Sequence, residues 1–143
     1  MRICDLIKNQ ETYLADLGQT VLETVHVMVE RNIGAVPVMH NDELVGIFSE
    51  RDLMKRVVAE RLDTCTTCLA EVMTNDPLTI GMNEDFDSCL ALMRLHNFRH
   101  LPVCHHGQVV GVVSLRDILL YDLNEKDDVM RMMRAYIHSV PDA

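Results

Sequence analysis

Apolar residues along this chain switch from helical spacing to short strand-like runs twice, in the same order each time. Val21, Val25, Met28 and Val29 recur at i, i+4, i+7 and i+8, which predicts an amphipathic helix with one stripe facing a core. Thr20 and Glu23 ahead of it form a capping-box pattern, and Asn32 and Gly34 stop it. The β-branched run 35–39, the turn-forming His40-Asn41-Asp42 and the run 44–48 read as a hairpin. Pro37 cannot donate to a ladder, which predicts a place at a sheet edge or a strand start. Ser49 opens a second helix with Leu53, Val57 and Val58 turned inward, and a weak strand at 13–15, ended by Gly18, precedes the whole set.

Shifted by 65 residues, the segment 33–56 falls on 98–121 without a gap: Pro37 meets Pro102, Gly46 meets Gly111, and Ser49, Arg51 and Asp52 meet Ser114, Arg116 and Asp117. Phe86, Leu90 and Met93 repeat the stripe of Val21, Val25 and Met28, and Asp85 takes the cap position of Thr20. Residues 72–77 read as a turn and 78–80 as the first strand of this copy. A repeat found twice is a duplicated domain rather than a solenoid. The expected organisation is α+β, with β-α-β-β-α in each copy. It divides into a first domain at 1–62, a linker at 63–69, a second domain at 70–123, and a C-terminal amphipathic helix and tail at 124–143. That last helix places Val129, Met133, Tyr136, Ile137 and Val140 on one face, suited either to its own domain or to a dimer. Copies of about 60 residues are near the lower limit for an independent core, so the two are expected to share a buried face.

Composition narrows the function. The net charge of −9 argues against nucleic acid or a membrane surface as partner, since both call for a basic patch. No apolar run is long enough to span a bilayer, and the N-terminus lacks the pattern of a signal peptide, so a cytoplasmic location is expected. With no Trp and ten Met, the core is built from aliphatic and Met side chains. Five cysteines suit a reducing compartment. Cys65 and Cys68 have CxxC spacing, but no second ligand pair follows as a structural zinc requires; a thiol or metal sensor is the minor reading. No nucleophile–base constellation or Walker-type loop is visible, so the protein is expected not to be an enzyme.

The clearest chemical signal is the doubled Gly46-Ile47-Phe48-Ser49-Glu50-Arg51-Asp52 and Gly111-Val112-Val113-Ser114-Leu115-Arg116-Asp117. Read locally, Ser-x-x-Asp is a helix capping box. Read chemically, a helix N-terminus behind a strand offers free N–H groups to phosphate, and Asp accepts the two hydrogen bonds that vicinal ribose hydroxyls donate.

The pattern Arg99-His100-Leu101-Pro102-Val103, a hairpin, then Gly-Val-Val-Ser-x-Arg-Asp resembles a cystathionine-β-synthase (CBS) domain, and the doubled pattern over about residues 1–123 resembles a tandem CBS pair, or Bateman module. The opening Val72-Met73-Thr74 of the second copy is similar too. The resemblance implies two clefts between pseudo-symmetric repeats, homodimerisation through the pair, and regulatory binding of AMP, ADP or ATP, with or without Mg, or of S-adenosylmethionine or NAD. It implies no catalytic cofactor, and an effector protein of unknown identity. Carried over, it assigns Asp52 and Asp117 to ribose, Ser49 and Ser114 to ribose or phosphate, and Val36, Pro37, Leu101 and Pro102 to the adenine pocket. Tyr13, Leu78 and Thr79 would close that pocket, and Arg99 and His100 would reach phosphate. Arg51 and Arg116 add charge from the first helical turn. Gly34-Ala35 stands where the basic doublet belongs in the first copy. The implied phosphate cleft is therefore that of Asp52 with Arg99 and His100, while the cleft of Asp117 and Thr79 takes a less charged ligand or none. A ligand-free scaffold is the rival reading from another class. His40, His105 and His106 fall in hairpin turns and His26 mid-helix, which leaves His100 as the histidine of interest.

Overall fold

Local signals place most of the elements. Thr20 accepts the Glu23 amide through its hydroxyl at 3.2 Å while the Glu23 carboxylate accepts the Thr20 amide at 3.3 Å, closing the predicted box. The computed structural model describes residues 2–139, with side chains to residue 135. Helix α1 (Ile3–Ile7) precedes strand β1 (Ala15–Asp16), helix α2 (Val21–Arg31), and the hairpin β2 (Ala35–His40) and β3 (Glu43–Ser49). Helix α3 (Glu50–Asp52) runs on as a π-helical turn over Leu53–Val58. After it come α4 (Leu69–Val72) and β4 (Thr74–Asn75), then β5 (Ile80–Gly81), α5 (Phe86–His96), the hairpin β6 (His100–His105) and β7 (Gln108–Ser114), and α6 (Leu115–Ser139).

The strands form two sheets, ordered β1-β2-β3-β4 and β5-β6-β7. Their registers repeat: Ala15 lies against Val38 as Ile80 lies against Val103, and a bulge follows each at Val38/Met39 and Val103/Cys104. Both helices before the hairpins end on an asparagine in the left-handed region, Asn32 (φ 53°) and Asn97 (φ 55°).

Each core borrows from the chain ahead of the other repeat. The first contains Val36, Val38, Phe48 and Val57 together with Leu69, Val72 and Met73. The second joins Leu101, Val103, Val113 and Ile118 to Ile3 and Ile7 of α1. This crossing interlocks two halves that are individually near the size limit for a stable core.

Several expectations need correction. Val29 and Val58 are 75% and 64% exposed. The buried stripe of α2 runs instead through Val21, Thr24 and Met28, about 90° from Val29 at 100° per residue. Thr24 tolerates burial because its hydroxyl donates to Thr20 O at 3.0 Å. Pro37 lies in a central strand opposite Ile47, tolerated because β1 reaches only Val38 and Met39. The stretch 72–77 is not a plain turn: Val72 and Met73 are core and β4 pairs with β3. The strand expected at 78–80 begins only at Ile80. Thr64 O and Thr67 O accept from Leu22 N and Val21 N, so residues 64–67 close over the free amides of α2. The C-terminal helix is not separate, because no Gly or Pro interrupts α6 from Leu115 onward. Its expected apolar residues Tyr136, Ile137 and Val140 lie outside the described side chains.

Candidate functional site

The Ser-x-Arg-Asp motifs sit at the two β-to-helix turns, Ser49 closing β3 and Ser114 closing β7. A cleft lined by residues of both repeats opens at each. The smaller, about 320 Å³, is lined by Ser49, Glu50, Arg51, Asp52, Lys55, Arg56, Thr74 and Leu78 from one side, and by residues 96–100 from the other. The larger, about 870 Å³, lies among residues 10–13, 32–35, Glu50, Arg99, His100, Val112, Ser114 at the end of β7, the start of α6 from Leu115 to Asp117, and Leu119 and Leu120. Both fall in the size range of small-molecule sites.

The two aspartates share a motif and differ in state. Asp52 is 8% exposed. Its Oδ2 accepts from Ser49 N at 3.0 Å and Ser49 Oγ at 3.2 Å, and its Oδ1 accepts from Thr74 Oγ1 at 3.2 Å. Arg56 adds an ion pair at 3.6 Å while donating to Met73 O at 2.7 Å. Asp117 is exposed, and its backbone N–H donates to Ser114 Oγ at 3.0 Å. Among the described residues no hydrogen bond reaches the Asp117 carboxylate.

Arg99 and His100 line both clefts, so the basic doublet is not reserved for Asp52. A β-carbon at Gly34 would stand 3.1 Å from His100 Nε2 and 3.3 Å from Glu50 Oε1; the missing side chain in the first copy is what admits His100. Burial lowers the His100 pKa, opposed by Glu50 and Asp117 and reinforced by Arg51 and Arg99. The smaller cleft carries Arg51, Lys55, Arg56 and Arg99 against Glu50 and Asp52; the larger carries Arg99 and Arg116 against Glu11, Glu50 and Asp117. Arg51 is held across the repeats by donating to Asn97 O at 3.1 Å.

Other predicted residues separate. Tyr13 joins the larger cleft with Ser114, Arg116 and Asp117, its hydroxyl accepting from Gln19 Nε2 at 2.8 Å and Arg31 lying over its ring at 5.3 Å. Leu78 joins the smaller. Val36, Pro37, Leu101 and Pro102 line neither cleft. Strand side chains alternate, so with Ala35 and His100 lining the larger cleft, Val36 and Leu101 turn into the cores. Thr79 also lines neither; its hydroxyl bonds the Cys104 sulfur.

Sequence reasoning missed Gln10 and Thr12. The Gln10 amide donates to Val112 O at 3.0 Å and accepts from Val112 N at 2.8 Å, and Thr12 Oγ1 donates to Val110 O at 3.1 Å. They close the free edge of β7 as β4 closes that of β3. No local pattern marks them, because their partners lie about 100 residues away. Lys55, Arg56 and Thr74 were also missed; their position one turn beyond, or one strand across from, Asp52 was the available signal. Cys65 and Cys68 carry free thiols, and among the described residues no group of three or more His, Cys, Asp or Glu is arranged to hold a metal. No described helix is long and apolar enough to cross a membrane.

The family model "CBS domain" matches the chain twice, at residues 10–59 and 69–124. The CBS domain-containing protein YhcV of Bacillus subtilis is 30% identical over 109 residues, which cover 76% of this chain and 77% of YhcV. A protein with CBS domains from Burkholderia ambifaria superposes with a TM-score of 0.78 at 29% identity, over 83% of this chain and 91% of that one. The CBS domain pair of protein MJ0100, solved in complex with 5-methylthioadenosine and S-adenosyl-L-methionine, shares the fold at a TM-score of 0.78 and 23% identity, over 87% of this chain and 98% of that one. Two matched repeats, one register and interlocked cores make this chain a member of the CBS-domain family, built as a tandem pair.

Proposed function

We propose that the protein is a regulatory module that binds an adenosine-containing ligand between its repeats and acts through a partner protein, without catalysis of its own. AMP, ADP and ATP fit best, ahead of S-adenosylmethionine and NAD. The observation that carries this reading is the free Asp117 carboxylate beside Ser114 at the larger cleft, with Arg99 and His100 in the same lining. Two unoccupied carboxylate oxygens accept the 2′ and 3′ hydroxyls of a ribose, and the guanidiniums of Arg99 and Arg116 serve phosphate. This reverses the ranking drawn from the motif, since Asp52 already spends both oxygens on Ser49, Thr74 and Arg56. The smaller, more cationic cleft then takes phosphate-rich ligands that do not need its aspartate. That the MJ0100 pair binds adenosine compounds agrees with the reading. In it, copies pair through their repeats in the cytoplasm, and ligand shifts the partner's activity only by binding two states of the pair unequally.

Calorimetric titration with AMP, ATP, NAD and S-adenosylmethionine, on wild type, Asp117→Ala and Asp52→Ala, tests it. Binding abolished by Asp117→Ala supports the reading. Binding lost only in Asp52→Ala overturns the choice of cleft, and no heat with any ligand from folded, ligand-free protein favours the scaffold.

A further inference from the structure

Helix α6 leaves the body of the protein. Every residue from Leu123 to Ala135 is exposed, including Leu123 at 61%, Met130 at 48% and Met133 at 57%. A helix standing alone is marginal in water even when its sequence favours it. The pairs Lys126–Asp122 at 3.0 Å and Arg131–Asp127 at 2.9 Å help hold it, but each lies near the surface and contributes little. Leu123, Met130 and Met133 keep the a/d spacing of a two-helix seam, with Lys126 at the position between.

The charges choose the occupant. Asp122, Glu125, Asp127 and Asp128 crowd the first part of the exposed stretch, opposed only by Lys126. Arg131 and Arg134 follow, with no carboxylate from Val129 to Ala135. Asp122 and Asp127 flank the seam on opposite sides, so a parallel pair would set Asp122 of one copy against Asp127 of the other. Reversing one helix instead sets Asp127 of each copy against Arg134 of the other, two opposite-charge pairs along one flank of the seam. We propose that α6 pairs antiparallel with α6 of a second copy, Met130 and Met133 forming the centre of the seam. This contact is independent of any pairing through the repeats and of the ligand reading.

The test is the mass of the full chain in solution, by light scattering and sedimentation, for wild type, M130E/M133E, R134E and D127R/R134E. Wild type associates, and M130E/M133E loses one step of association, halving the mass while each repeat stays folded, because neither methionine belongs to either core. Arg134→Glu weakens association by about tenfold, and the charge swap D127R/R134E restores it. A monomeric wild type, or an M130E/M133E variant of unchanged mass, overturns the pairing. Unchanged association in R134E overturns the antiparallel arrangement.

Discussion

The Thr74 hydroxyl donates to Oδ1 of Asp52 across 3.2 Å, tying β4 to the helix start of the first repeat. The same Asp closes the capping box of Ser49 with Oδ2. At the matching place in the second repeat, β7 is edged by the Gln10 side chain instead of a strand, and among the described residues no hydroxyl reaches the Asp117 carboxylate. Identical motifs thus hold one aspartate as a structural bracket and leave the other open.

Asp52→Ala should therefore cost stability. It removes a cap and leaves the Thr74 hydroxyl and Arg56 without their partner, worth about 1–3 kcal/mol. Asp117→Ala, at an exposed carboxylate, should stay within about 0.5 kcal/mol of wild type. Urea denaturation of both variants separates them; equal losses would contradict the bracket assigned to Asp52.

His100 makes stability depend on pH. Burial, above all, puts its pKa below the ordinary 6.5. The unfolded chain therefore takes up the proton first, and the contribution is complete above pH 6.5 and lost as pH falls through the lowered folded value. The melting temperature should fall more steeply on acidification than in His100→Gln. An anion bound in either cleft raises this pKa, so on acidification from neutrality phosphate affinity should hold up better in wild type than in His100→Gln, and identical profiles would remove His100 from the site.

Gly46 has no room for a side chain. A β-carbon there would meet the Met73 side chain and come within 2.9 Å of Thr74 O, backbone that cannot swing aside. Gly46→Ala should push β4 from β3 and destabilise by about 1–3 kcal/mol. Gly81→Ala, whose nearest neighbour is Glu84 Cγ at 3.6 Å, is the control and should be near neutral.

Gln10→Ala removes both bonds to Val112 and opens a wall of the larger cleft. The expected loss is about 0.5–1.5 kcal/mol per bond. Faster amide exchange at Val112, with the first repeat unaffected, would show that this side chain replaces a strand.

The sequence by itself determined what depends on neighbours along the chain. The box of Thr20 and Glu23, the helix stop at Asn32, both hairpins and the duplication itself rest on contacts a few residues apart or on pattern repeated whole. It also placed the Ser-x-Arg-Asp motifs at helix starts. Only tertiary structure decided which core α1 and α4 enter, that Gln10 edges β7, and that Thr74 occupies Asp52 while Asp117 stays open. A motif specifies its own turn, but the hydrogen-bonding capacity left for a ligand depends on distant groups brought alongside by packing. Two copies of one motif therefore hold different chemistry.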